Sequence, residues 1–137
     1  MPQRSAPKEV QEYFESLPDT RREQLGALRS HLRRVWPEAS EDFSSRMPTC
    51  SIDGKPAFAL AAQKSTVVLH VIAYDLLLPF KNDLMHFDCG PACIRIRVLT
   101  PALEDLIDRV IKYVGSQIHL SQQSTRPTRL RASATVK

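Results

Sequence analysis

With 137 residues, 42% of them hydrophobic, the chain is long enough for one modest core and too ordinary in composition for wholesale disorder. Its net charge of +4 is no nucleic-acid signature, because Arg126, Arg129, Arg131 and Lys137, in a stretch without acids, supply the whole excess of 19 Lys and Arg over 15 Asp and Glu. The longest apolar runs, 57–62 and 67–73, fall far short of the roughly 18 residues of a membrane-spanning helix, and residues 1–20 hold no signal-peptide core.

The first eight residues read as a flexible leader. Val10, Tyr13, Phe14 and Leu17 then recur at one face of a short helix that Leu17-Pro18 ends. Thr20 and Glu23 have the spacing of a capping box for a second helix, with a stripe of Leu25, Leu28, Leu32, Val35 and Trp36 that stops before Pro37. An acidic link with Glu38, Glu41 and Asp42 follows. Asp53-Gly54 tolerates the positive φ of a tight hairpin turn between arms at 45–52 and 57–63.

Lys64-Ser65 makes a second turn. The strand at 66–72 places Val67, Leu69 and Val71 on one side and Val68, His70 and Ile72 on the other. Pro79 is placed to start a short helix with Phe80, Leu84 and Phe87 inward. In the strand at 93–98, Ile94, Ile96 and Val98 oppose Cys93, Arg95 and Arg97. Thr100-Pro101 opens a last helix with Leu103, Leu106, Ile107, Val110, Ile111 and Val114 on one face, and Gly115 suits its end.

The expected domain spans 9–117, and 118–137 reads as a disordered basic tail. The order ααβββαβα describes an α+β fold with an antiparallel sheet of about four strands and helices on one face.

Several segments together carry a family resemblance. Tyr13-Phe-Glu-Ser-Leu-Pro18, Leu28-Arg29, Pro37-Glu-Ala39, Met47-Pro48, Asp53-Gly-Lys55, Ala61-Ala-Gln-Lys64 and Cys93-Ile-Arg-Ile96 stand in an order that resembles the YdhG-like domain, over roughly residues 9–114. The resemblance implies a compact α+β fold, a cytoplasmic location and no assigned catalytic residues. It also implies, for one group of members described as frataxin-like iron chaperones, a role in iron delivery. The chain departs from the family pattern at Thr49-Cys50 and Ile72-Ala73, where aromatic residues are usual.

Three groups of residues could carry chemistry. Cys89-Gly-Pro-Ala-Cys93 is one residue longer than a redox box, and with His86 and Cys50 it nominally supplies a zinc set without a second knuckle. On one extended strand the two cysteines would stand about 13 Å apart, beyond the roughly 7 Å a disulfide spans, so the plainer alternative is a strand entry. Three cysteines are a poor basis for a secreted disulfide framework, and a cytoplasmic protein with free thiols is the expectation.

Lys64, His70 and Arg95 could converge on the uncovered sheet face as a site for a carboxylate or phosphate, the alternative being a solvated surface. Glu38, Glu41 and Asp42, with Glu9, Glu12 and Glu15 along the first helix, could hold a cation weakly, iron by family analogy; the alternative is a solubilising face.

Catalysis has no legible constellation: there is no HExxH, no Ser-His-Asp spacing, and no phosphate loop in a chain with four glycines. His31 and His119 are expected at the surface. The expectation is therefore a non-enzymatic binding module. Iron binding comes first, a small-molecule or anion sensor on the basic face second, and a protein-interaction domain, dimeric with itself, third. Nucleic acid is expected to make no more than weak tail contacts.

Overall fold

The computed structural model describes residues 7–44 and 46–121; most of the leader, and the tail beyond residue 121, lie outside them. Two helices come first, α1 (Lys8–Glu15) and α2 (Asp19–Val35). Their junction is not the expected capping box. Pro18 directly precedes α2, and no side chain caps it. Arg22 organises the corner instead, donating to the carbonyls of Phe14 and Leu17 at 3.1 and 2.8 Å and pairing with Asp19 at 3.2 Å. One guanidinium thereby adds to the capping of the end of α1, where the Phe14 carbonyl also accepts the Leu17 amide at 3.1 Å.

Among the described residues the sheet has six antiparallel strands rather than about four, in the order β1-β2-β3-β4-β6-β5. They are β1 (Ser40–Asp42), β2 (Thr49–Ile52), β3 (Lys55–Ala62), β4 (Val67–Val71), β5 (Cys89–Gly90) and β6 (Cys93–Ile96). Both additional strands are short edges. The acidic link became β1 by pairing Glu41 with Cys50, and Cys89-Gly90 became β5 by folding back on β6 across a Pro91-Ala92 turn. Neither carries the apolar alternation by which a strand announces itself. The β2–β3 turn is the one expected, with Asp53 at φ 54° and Gly54 at φ 77°.

Between β4 and β5 the chain forms a 3-10 segment (Tyr74–Phe80) and one turn of helix, α3 (Lys81–Leu84). Pro79 sits inside the 3-10 segment and does not start a helix; burial of Leu76, Leu77 and Phe80 fixes that segment. Helix α4 (Pro101–Ser116) begins as the sequence predicts, the Thr100 hydroxyl accepting from the Leu103 amide at 3.2 Å with Pro101 in the first turn. A 3-10 turn at Ile118–Leu120 follows, with Ile118 buried, so the fold continues past residue 117. Val98 lies beyond the end of β6 and is 65% exposed, not inward.

The core lies between the helices and one sheet face. Phe58, Leu60, Leu69, Val71, Ile94 and Ile96 meet Leu25, Leu28 and Leu32 of α2 and the stripe of α4. Helix α2 packs across β3 and β4 and against α1 and α4. Gly115 is not the stop signal expected. It stands inside α4, where a Cβ would overlap the Trp36 indole, whose Nε1 donates to the Ile111 carbonyl at 3.0 Å. Close approach of an aromatic ring, rather than a turn, requires glycine here. Among the described residues no helix is long and apolar enough to cross a membrane.

Candidate functional site

The acidic residues go three separate ways. Glu41 leaves β1 toward α2, where Arg29 grips both carboxylate oxygens at 2.9 and 2.6 Å and Arg33 adds a contact at 3.2 Å. The Arg29 guanidinium also lies 4.9 Å from the centre of the Phe14 ring. Glu38 is exposed, and Asp42 accepts the Ser44 amide within its own loop at 3.0 Å. Among the described residues no three His, Cys, Asp or Glu side chains gather as metal ligands. Beside Glu41 a void of about 30 Å³ is bordered by Cys50, whose thiol burial pushes up to about 12, helped by the negative charges of Glu41 and Asp42.

The uncovered face of the sheet is ordered in rows. One runs Thr49, Ala59, His70, Cys93, Gly90 across neighbouring strands; the next holds Ala61, Val68 and Arg95. Lys64 belongs to neither, being exposed in the β3–β4 turn. His70 and Arg95 are therefore near neighbours, and Lys64 is not brought to them. Arg95 is already neutralised: its Nε donates to Asp88 at 2.9 Å, which raises the guanidinium's proton affinity further. Burial lowers the affinity of His70 for a proton, favouring the neutral ring.

The cysteines do not form one centre. Cys89 opposes Ile94 on the core side of the hairpin, whereas Cys93 faces the open side. All three cysteines are free, and Cys50 lies on the helix-covered face. The nominal zinc set is thus dispersed, with Cys50 and Cys89 on the helix-covered face, Cys93 on the open face and His86 in the turn that follows the helix after the 3-10 segment.

Two features escape the sequence pattern. The first is a tie between α2 and α4, in which His31 Nε2 lies 2.6 Å from Asp108 Oδ1 while Lys112 reaches Oδ2 at 3.0 Å. His31 is only 14% exposed, contrary to expectation, because α4 packs beside it. A helical spacing of histidine alone could not have named a partner 77 residues away.

The second is an open cleft of about 440 Å³ between the 3-10 segment, α3 and the β5–β6 turn. Tyr74, Leu77, Leu78, Leu84, Met85 and Cys89 line it, with Lys81 at the rim. Leu78 and Met85 are 72% and 75% exposed. Across the rim, Asp75 accepts from the Ser121 hydroxyl at 2.6 Å.

No family model matches the chain, and no curated protein matches it. Among solved structures it is similar to the crystal structure of a protein of the DUF1801 family, YdhG, from Bacillus subtilis. The two are 14% identical, with a TM-score of 0.68 over 85% of this chain and 94% of that one. At this identity the likeness establishes a shared α+β fold.

Proposed function

We propose that the chain is a non-enzymatic binding module of the YdhG-like kind that seats an apolar segment of a partner protein in the cleft beside α3. The observation that carries this is the grouping of exposed apolar side chains. Of the six large hydrophobic residues exposed among the described ones, Tyr74, Leu78 and Met85 line this one cleft. Soluble domains scatter such residues singly, and a contiguous group marks a contact surface.

The openness of the cleft favours a protein segment over a small molecule, which a binding pocket typically encloses on most sides. Methionine and leucine adapt to varied apolar shapes, the usual lining of grooves that accept a helix or a short peptide. Lys81 has no ion-pair partner among the described residues, so an acidic residue beside the apolar anchor would complete the contact. Iron delivery, implied by the resemblance for some relatives, finds less support, since Glu41 is held by two arginines.

Panning a displayed peptide library against the wild type and against Leu78→Asp/Met85→Asp tests the proposal. Enrichment of peptides with apolar residues at helical spacing and a flanking acid, lost in the double variant, is the expected result. Peptides that bind both proteins equally would overturn it. Sizing both proteins over a concentration series identifies a second copy as the occupant, if the wild type is dimeric and the variant monomeric; that outcome would overturn the foreign-partner assignment.

A further inference from the structure

We propose that the cavity between the ends of α2 and α4 and the β2–β3 turn binds a small organic dication, an aliphatic diamine. The site shares no residue with the cleft beside α3.

The cavity measures about 460 Å³, within the range of about 300–1,000 Å³ usual for small-molecule sites. Three local features of the chain shape it. After α2 the Ala39 amide donates to the Trp36 carbonyl at 3.0 Å, closing a turn that places Glu38 at the cavity. Asp53 reaches it from the β2–β3 turn, where φ is 54°. Gly115 lets the Trp36 ring lie against α4, so that the indole forms a wall.

The only charged side chains lining the cavity are two acids, Glu38 and Asp53. Neither makes a hydrogen bond or ion pair among the described residues. Two helices also end here, and a helix C-terminus carries partial negative charge. Helix α4 has no basic residue in its last turn. The Gln117 amide takes the Tyr113 and Val114 carbonyls, whereas those of Gly115 and Ser116 receive no hydrogen bond among the described residues. Helix α2 does carry Arg33 and Arg34 in its last turn, but Arg33 pairs with Glu41 and neither lines the cavity. Two carboxylates and two helix ends thus meet without a cation between them.

The rest of the lining decides what kind of cation fits. Trp36, Pro37, Ala39 and Ile52 make it largely apolar. A hard metal ion wants several oxygen ligands around one point. Here the carboxylates belong to different loops, and among the described residues no third metal-ligating side chain gathers with them. A dication with two ammonium heads on a methylene stem matches both parts of the lining. Each head meets one carboxylate, and the stem covers the apolar wall. A head beside the indole gains from the negative face of the ring, and the free carbonyls accept its remaining N–H groups.

Trp36 is the one tryptophan of the chain, so its fluorescence reports on this cavity directly. Full-length protein is titrated with cadaverine at low ionic strength while the emission is followed. A saturable change with a Kd of about 1 mM or below is expected. Glu38→Gln and Asp53→Asn should each weaken binding about threefold to fivefold, and the double variant more than about tenfold. Both side chains are exposed, and asparagine tolerates the positive φ at 53, so the variants keep the fold. Leu78→Asp/Met85→Asp, in the cleft, should bind as the wild type does. Pentylamine, with one head, should bind at least about threefold more weakly. No saturable emission change up to about 10 mM would overturn the proposal, as would unchanged affinity in the double variant. Equal affinity for pentylamine, or for magnesium ion, would overturn it too, assigning the effect to a general attraction for cations.

Discussion

The α2–β1 corner and the cleft beside α3 use similar kinds of side chain to opposite ends. At the corner, groups that look functional in sequence are consumed by the fold. Glu41 is held by Arg29 and Arg33, Arg29 covers Phe14, and Trp36 is seated against Gly115 with its indole N–H satisfied. At the cleft, leucine and methionine that could fill a core stand in solvent. A polar residue whose bonding is complete within the fold has little left for a ligand. Apolar area left uncovered, by contrast, is free energy available to a partner. The surface proposed above to receive a partner is therefore the one without conspicuous chemistry.

The sharpest way to break this contrast is to remove the hub of the corner. Glu41→Ala leaves two guanidinium groups without their carboxylate at a site where Arg29 and Glu41 are 20% and 17% exposed. A loss of about 2–4 kcal/mol is expected in denaturant unfolding. Were Glu41 instead a free metal ligand at the surface, the change would be within about 0.5 kcal/mol.

Next comes Gly115→Ala, which forces the Trp36 ring aside; about 1–3 kcal/mol should be lost. The same substitution at Gly26, where a Cβ meets nothing, should stabilise by a few tenths to about 1 kcal/mol through helix propensity.

The His31–Asp108 tie should have a smaller, pH-dependent effect. Hydrogen bonds from His31 and then Lys112 hold the Asp108 carboxyl below its usual range. A lowered carboxylate stabilises the fold above its unfolded value, about 3.9, and that contribution is lost as pH falls through the lower folded value. Thermal unfolding of wild type and Asp108→Asn should therefore differ at pH 6, by no more than about 1 kcal/mol for a carboxylate at the solvent edge of the pair, and converge toward pH 2. Smallest of all is Leu78→Asp. Its side chain is 72% exposed, so stability should stay within about 0.5 kcal/mol of wild type. A larger loss would mean that the cleft is packed structure rather than a free surface.

How much was legible differs by element. The stripe of α4, the alternation of β4 and the Asp53-Gly54 turn were readable because each depends on neighbours within a few residues. Edge strands β1 and β5 were not, since three and two residues carry no period and exist only where a partner strand already stands. The candidate sites follow the same division. His70 and Arg95 were placed on one face by strand periodicity, and that placement holds in the ladder. Lys64 could not be placed, because a turn residue has no face until the turn is built.

By itself the sequence determined the α+β class and the elements with a strong local period, since burial of an apolar stripe or an alternating strand face is decided over short spacing. Tertiary structure decided which charges meet: Glu41 with Arg29, His31 with Asp108, Arg95 with Asp88. It also decided that Cys89 and Cys93, four residues apart in the chain, look out from opposite faces of a hairpin. The reason is physical: hydrogen bonds and ion pairs act over a few ångströms of space, whereas sequence records separation along the chain, and only the turn at Pro91-Ala92 converts one into the other.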